Sequence, residues 1–364
     1  MTKKMITAFI GSLGGGGAQG VFVTVMNYYI QLGYEIRVVV FTLSNDVHSD
    51  DLDERIIIEC LHANSAKDAL PKIFEYVKKK DIEIAFAFSP EIAVDLIIAK
   101  KILKKSFIIL GRCINTLSYE YTYADGFFRK YLSKFFVKLF YHEVNIAVAQ
   151  AEKMKKDLVD NFGFSLGQVV TINNPLGKKY TTKITPNLSV ERENIILYVG
   201  RFEHQKGLLM LLEAYSKLKC DSKLILIGEG SQLKAIQAKT RELHIEDSVE
   251  ILPFKKDIEN YYKKARITVM SSFFEGFPNV LSESIACGTP VVAFDLPSGP
   301  SDIICDGVNG YLVKYLDVDD LSEKMKRALL TQWDYDQVWQ TSLRFHCENI
   351  LPLYKELIEM SGRL

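Results

Sequence analysis

Glu275 and Glu283 lie eight residues apart in Ser271-Ser272-Phe273-Phe274-Glu275-Gly276-Phe277-Pro278-Asn279-Val280-Leu281-Ser282-Glu283-Ser284. Gly276 and Pro278 turn the chain at the start of a helix that carries Glu283 two turns in. Along a helix, eight residues span about 12 Å, which the loop shortens. A carboxylate is a two-oxygen acceptor, so Glu283 facing a cleft suits the paired hydroxyls of a ribose. Backbone N–H groups from Gly276 to Asn279 suit an anionic or hydroxyl-rich ligand. The plainer alternative makes Glu275 a first-turn acid favoured by the helix dipole and Glu283 a solvated side chain.

A second constellation reads Gly200-Arg201-Phe202-Glu203-His204-Gln205-Lys206-Gly207, after the apolar run Ile195–Val199 and before an apolar helix. Arg201 and Lys206 are two cations flanking a helix start, a place to hold a diphosphate by point charge and dipole together. Two solvated surface charges are the alternative. Gly228-Glu229-Gly230 and Pro253-Phe254 each end a strand-like run. They are either ordinary turns or the rim on which an aromatic heterocycle lies.

Near the start, Gly14-Gly15-Gly16-Gly17-Ala18-Gln19-Gly20 follows the apolar run Met5–Ile10. Gly15, Gly17 and Gly20 satisfy G-x-G-x-x-G, a pattern that brings backbone N–H groups to an anion at a helix N-terminus. Dinucleotide binding also needs an acid at the end of the second strand. Here Val39-Val40-Phe41-Thr42-Leu43-Ser44 reaches no acid until Asp46, which favours a phosphate or sugar loop, or plain turn glycines, over NAD.

These residues need a frame. Short apolar runs alternate with helical spacing almost throughout, and continuous apolar strands separated by helices mean parallel sheets covered on both faces. Expected strands in the first half are Met5–Ile10, Ile36–Thr42, Arg55–Glu59, Ile82–Phe88, Ser106–Gly111, Val144–Ala149 and Gln168–Ile172. A polar stretch from Asn173 to Asn194, with Pro and Gly, reads as a linker. The pattern restarts with Ile195–Val199, Lys223–Ile227, Val249–Leu252, Arg266–Met270, Pro290–Phe294 and Gly310–Val313. The expected fold is therefore α/β, with one Rossmann-like domain over residues 1–180 and a second over 190–334, facing across a cleft. A helical segment over 335–364 is expected to cross back to the first. Ligands of such sheets bind outside the carboxyl ends of the strands, where the candidate residues fall.

Composition narrows the class. The chain has 364 residues, too many for one core, and 48% hydrophobic and 25% charged residues, as in globular proteins. Lys plus Arg and Asp plus Glu are both 45, which removes any global case for nucleic-acid binding. Six scattered cysteines without Cys-x-x-Cys read as free thiols of a reducing compartment. No apolar run reaches the roughly 18 residues that span a bilayer. Lys3 and Lys4 before a short apolar run imitate a signal peptide, but the run is too short, so a cytoplasmic location is expected. Asp51-Leu52-Asp53 spells the D-x-D of metal-dependent transferases; in its polar acidic loop it reads as solvated, and no metal or other cofactor is expected.

Gly-Arg-Phe-x-x-x-Lys-Gly, the Glu-x7-Glu pair, Ala286-Cys287-Gly288-Thr289-Pro290-Val291-Val292, Ser298-Gly299-Pro300-Ser301 and Asp306-Gly307-Val308-Asn309-Gly310 occur in that order. Together they resemble retaining GT-B glycosyltransferases of family 4, and the resemblance covers nearly the whole chain. It implies transfer of a sugar from a nucleotide diphosphate-sugar, with Gly200, Arg201 and Lys206 at the diphosphate and Glu283 on the ribose. It also implies that Glu275 holds the donor sugar with Gly276, Phe277, Pro278, Asn279 and Val280. Gly16 and Gly17 would approach the phosphate or the acceptor, and Gly228, Glu229, Pro253 and Phe254 would line the donor site. Ser298-Gly299-Pro300 resembles the branch that uses UDP-sugars. Many relatives carry a His after the strand that here ends in Leu110-Gly111-Arg112; this chain has Gly111-Arg112-Cys113-Ile114-Asn115-Thr116 instead. Arg112 and Asn115, with Gln19, are therefore acceptor or reaction-centre candidates, and Glu275, Arg201, Lys206 and Arg112 the catalytic ones.

Residues 127–141 repeat Lys130, Lys134 and Lys138 every four positions among dense aromatics, a basic amphipathic helix suited to an anionic membrane surface. Lys100, Lys101, Lys104 and Lys105 on a neighbouring helix support that reading; a core helix with solvated lysines is the alternative. The expectation is a glycosyltransferase at the inner face of the cell membrane acting on a lipid-linked or growing glycan. A GT-B-type nucleotide-sugar epimerase and a non-catalytic nucleotide-binding module are the rivals.

Overall fold

A computed structural model describes residues 5–43, 47–63, 66–123, 128–182, 191–255 and 257–362. The chain forms two compact units, residues 1–177 with 348–364, and residues 178–347. In the first, parallel strands β1 (Met5–Ser12), β2 (Glu35–Thr42), β3 (Ile57–Cys60), β4 (Ile84–Ala87), β5 (Ile108–Arg112), β6 (Ile146–Ala149) and β7 (Val169–Thr171) take the order β3-β2-β1-β4-β5-β6-β7. The helices between them are α1 (Gly17–Gln31), α2 (Ala66–Lys79), α3 (Pro90–Ile102), α4 (Leu117–Thr122), α5 (Lys134–Phe140) and α6 (Glu152–Phe162).

Alternation along the strands explains the two-faced sheet. Ile6, Ala8 and Ile10 of β1, Val38 and Val40 of β2, and Ile84 and Phe86 of β4 pack in one cluster with α1. Their neighbours Phe9, Val39, Ala85 and Ala87 pack in the other, with α2, α3 and α6. Side chains point to opposite faces with period two, so strands buried on both faces must be apolar at every position.

The second unit repeats the plan. Strands β8 (Ile195–Val199), β9 (Lys223–Ile227), β10 (Val249–Leu252), β11 (Ile267–Met270), β12 (Val291–Phe294) and β13 (Gly310–Val313) form a parallel sheet in the order β10-β9-β8-β11-β12-β13. Its helices are α7 (Lys178–Thr182), α8 (Leu208–Leu218), α9 (Leu233–Glu242), α10 (Glu259–Lys264), α11 (Asn279–Ala286), α12 (Pro300–Ile303), α13 (Val318–Leu330) and α14 (Tyr335–Gln340). The chain then returns to the first unit through α15 (Cys347–Ser361).

Helical spacing over 335–364 thus divides in two. Residues 335–347 stay with the second unit, where Phe345 stacks edge-on against Phe277 with centroids 5.3 Å apart. Only α15 joins the first, burying Ile350, Tyr354, Leu357 and Ile358 in the cluster of α1. Each such burial contributes about 1.5–3 kcal/mol. Tyr29 Oη donates to the Tyr354 carbonyl at 2.9 Å, which fixes the helix in register.

The expected linker is shorter than read. Asn174 and Leu176 are buried, and α7 belongs to the second unit. Arg192 is also anchored, donating to the carbonyls of Tyr262, Lys263 and Cys287 and lying over the Tyr335 ring at 4.7 Å. It ties together the C-terminal ends of α10 and α11. Thr185, Pro186 and Asn187 lie outside the described residues, as do Lys3, Lys4 and Asp46.

Candidate active site

The second unit collects most of the candidate residues on the loops after β8, β9, β10 and β11. Lys206 ends a single 3₁₀ turn, His204–Lys206, and Gly207 follows in the left-handed region at φ 62°. A Cβ on Gly207 would lie 2.1 Å from the Ser271 carbonyl oxygen, so only glycine lets this loop pack on the end of β11. Lys206 Nζ donates to Glu275 Oε1 at 2.5 Å, and Ser272 Oγ donates to the same oxygen at 2.7 Å. Two residues 69 positions apart in sequence are therefore one buried ion pair. Arg201 is exposed, and its Nη2 donates to Gln205 Oε1 at 3.4 Å.

Gln205 is a member of the site that motif reading passes over. Its Nε2 donates to the Phe274 carbonyl at 2.8 Å, and its own carbonyl accepts from Phe273 N at 2.8 Å. It staples the loop carrying Lys206 to the loop carrying Glu275. A glutamine inside a family-like motif gives no hint of this, because both partners are backbone.

Gly276, Phe277 and Pro278 are buried, and Asn279 and Val280 begin α11 without a side-chain cap. The Gly276 carbonyl accepts from Gly299 N at 3.1 Å, so the Ser298-Gly299-Pro300 turn braces this loop. Asn309 is fully buried and bonds Cys305 N, the Ile303 carbonyl and Thr341 Oγ1. The Asp306–Gly310 motif is thus structural support.

Glu283 Oε2 accepts from the hydroxyls of Tyr180 and Tyr262, each at 3.2 Å. Burial pushes its carboxyl up to about 7, against the lowering effect of Lys179 and the two tyrosines. Neither tyrosine stands out in the sequence, since both sit on short helices.

After β9, Gly228 is buried under the loop of Gly200, while Glu229 and Gly230 are exposed. Glu229 Oε1 accepts from Phe254 N at 3.4 Å, which joins the turns after β9 and β10. Phe254 is 68% exposed, an aromatic face open among the described residues. Gly200 lies beside Tyr198, whose hydroxyl donates to the Arg201 carbonyl at 3.2 Å.

In the first unit, α1 begins at Gly17, inside the glycine run, with no side-chain cap and no acid in its first turn. Gly15, Gly16 and Gly17 are exposed, and Gln19 lies close enough that a Cβ on Gly16 would meet its Oε1. This is an open helix N-terminus. Arg112, at the end of β5, is 0% exposed, donating from Nη2 to Asn174 Oδ1 at 2.5 Å and lying 5.2 Å over the Phe88 ring. The charge turns into the core because Asn174 and Phe88 receive it there. Asn115 is half-buried, and its carbonyl accepts from the Cys113 thiol at 3.0 Å. Asp53 forms a forked pair with Arg55 at 2.7 and 2.8 Å, which holds its carboxyl down to about 2. Among the described residues no group of three His, Cys, Asp or Glu side chains is placed to hold a metal.

Two parallel-sheet Rossmann-like units with these loops define the GT-B type of glycosyltransferase architecture. Residues 180–342 match the family model of glycosyl transferases group 1. The chain is 28% identical to an N-acetylgalactosaminyltransferase of Campylobacter jejuni that acts on N-acetylgalactosamine-N,N'-diacetylbacillosaminyl-diphospho-undecaprenol, over 88% of this chain and 89% of that one. Its fold is similar to the lipopolysaccharide outer core galactosyltransferase WaaB, with TM-score 0.76, 21% identity and coverage of 99% and 100% of the two chains. It is also similar to Alr3699/HepE of Anabaena in complex with UDP, with TM-score 0.74, 18% identity and coverage of 98% and 100%.

Proposed function

We propose that the chain moves a sugar from a UDP-sugar to a lipid-linked or growing glycan, with retention at the anomeric carbon. The observation that carries this is the Lys206–Glu275 pair. A cation for a diphosphate and an acceptor for sugar hydroxyls meet at 2.5 Å, with Arg201 exposed on the same loop as Lys206. Catalysis rests on holding the acceptor hydroxyl near the anomeric carbon and on stabilising charge as it develops on the departing diphosphate. Arg201 and Lys206 supply that charge, so no metal is assigned a role. UDP bound to the Anabaena neighbour and the diphospho-undecaprenol substrate of the Campylobacter relative support the donor and acceptor classes.

The test is a thermal-shift panel with UDP, GDP, ADP and NAD on the wild type and on the double variant Arg201→Ala/Lys206→Ala. A ligand at 100 times its dissociation constant stabilises by about 2.7 kcal/mol. A shift with UDP alone, lost in the double variant, is expected. A shift with NAD, or one with UDP that survives the double substitution, overturns the assignment.

The lipid-linked acceptor fits a membrane-surface reading of the aromatic lysine segment. Tyr131, Phe135, Phe136 and Leu139 are all exposed, at 57%, 59%, 39% and 46%, with Lys134 and Lys138 exposed among them. Leaving four large apolar side chains in water beside cations is costly unless a surface covers them. The helix itself is shorter than expected: a π-type turn, Phe128–Ser133, precedes α5, while residues 124–127 and the side chain of Lys130 lie outside the described residues. Nor do all the neighbouring lysines contribute. Lys100 donates to the Phe107 carbonyl, and Lys101 and Lys105 pair with Glu143 and Asp81. No described helix is long and apolar enough to cross a membrane. Co-sedimentation with vesicles containing anionic lipid is expected to weaken about tenfold for Phe135→Ser, and to weaken with salt for the wild type. Binding unaffected by both would remove the membrane from the reading.

A further inference from the structure

The Glu283 carboxylate is held more elaborately than a diol receptor needs. It sits on the second turn of α11, and its Oε2 takes hydrogen bonds from two tyrosine hydroxyls that arrive from different helices, Tyr180 of α7 and Tyr262 of α10. The two rings meet edge-on with centroids 6.5 Å apart, which fixes both hydroxyls over one oxygen. Among the described residues no protein donor is recorded on Oε1. One oxygen is thus spoken for and the other is left for a ligand.

We propose that Tyr180 and Tyr262 are positioning residues for nucleotide recognition: they anchor Oε2 so that Oε1 meets the ribose hydroxyls, and they favour the ionised carboxylate that those hydroxyls require. The proposal rests on the reading that this unit takes a nucleoside diphosphate.

The consequence is a proton coupled to binding. Hydroxyl donors favour a charged acceptor, whereas burial favours the neutral acid. Glu283 is pushed up to about 7 by burial, so near neutral pH part of the free protein carries the proton that the ribose must displace. Lys179 of α7 pairs with Glu259 of α10 at 3.4 Å, and the Cys287 thiol, one turn along α11, is pushed up to about 12 by burial. The remaining helices packed on α11 bring Asp302 from α12, and Tyr335 and Asp336 from α14, with the Tyr335 ring lying under Arg192. Strands β11 and β12 bring no titratable side chain. Affinity for UDP therefore falls as pH drops below about 7, by about tenfold between pH 8 and pH 6. The β-phosphate of UDP titrates nearby, with a second pKa of about 6. Glu283→Gln isolates that contribution, because its remaining slope belongs to the ligand alone.

Calorimetric titration of the full chain with UDP from pH 6 to pH 9, in buffers of different ionisation enthalpy, counts the protons released. Wild type is expected to release more than Glu283→Gln near pH 6.5. Tyr180→Phe and Tyr262→Phe keep their rings and lose one donor each. Each is expected to bind UDP about fivefold more weakly at pH 7, to move the pH midpoint up by about one unit, and to recover most of the affinity at pH 9. A packing defect would weaken binding equally at every pH. Wild-type affinity and proton count in both variants, or a loss that does not change with pH, overturns the proposal while leaving the nucleotide site intact. Absence of UDP binding by the wild type at every pH overturns the donor reading, and this proposal with it.

Discussion

Replacing Lys206 with alanine is expected to lower turnover of the sugar donor by about 100-fold or more, the scale on which removal of one strong oxyanion donor acts. Two losses combine. On the proposed assignment the departing diphosphate loses a cation that its transition state needs more than its ground state does, so kcat is expected to fall further than KM changes. The Glu275 carboxylate, only 8% exposed, also loses the ammonium 2.5 Å away, while the Ser272 hydroxyl still donates to it. Removing one member of a buried ion pair is strongly unfavourable, so the carboxylate proposed to hold the sugar is also disturbed in the same variant. Lys206→Arg should retain part of the rate by keeping the charge, with a bulkier fork in a space shaped for a single ammonium. Ser272→Ala removes only a neutral donor and is expected to cost far less. Initial rates of UDP release from a UDP-sugar with acceptor present decide the matter. Undiminished turnover in Lys206→Ala would remove the diphosphate from this loop.

The second large effect is on stability. Gly228→Ala is expected to destabilise the second unit by about 3 kcal/mol or more, because two penalties of about 1–3 kcal/mol each coincide. Its φ is 155°, in the range that L side chains rarely adopt, and an added Cβ would stand 1.9 Å from the Gly200 carbonyl oxygen. Backbone cannot move aside as a flexible side chain can, so the loop after β9 must lift off the loop that carries Arg201 and Lys206. Gly167→Ala is the control, with nothing within 4 Å of the added Cβ. Urea melts should show a midpoint below wild type for the second unit in Gly228→Ala, and little change from wild type for the first unit, which holds Gly167, in Gly167→Ala. Equal midpoints would mean that the two loops are not packed as described.

The same loops show what could be read before the fold was known. Parallel strands such as β8 and β9 were legible because strands buried on both faces must be continuously apolar, and Lys206 and Glu275 stood out because charged residues follow such runs where a sheet opens to ligands. What was hidden is what comes from distant segments. Gln205 works through backbone partners, which leave no pattern in residue type. Tyr180 and Tyr262 sit on helices of 5 and 6 residues, too short for a periodic signal, and meet Glu283 only in the fold. Arg112 has a hidden long-range partner of the same kind. Its Nη2 donates to Asn174, 62 residues on, a contact that only the fold reveals. Likewise Arg192 looked like linker polarity, yet it binds the ends of two helices.

The placement of α15 also sets an order of events during translation. Tyr354 is wholly buried beside Tyr29 and Phe86, yet it is synthesised after every residue of the second unit. At about 5–20 residues per second, the ribosome takes about 10–30 s to make the intervening unit. Throughout that interval the nascent first unit presents the apolar seat of α15 to the cell, while the unit made later can finish folding earlier. Chaperone engagement is therefore expected to concentrate on the first unit of the growing polypeptide, and to end only when α15 leaves the exit tunnel.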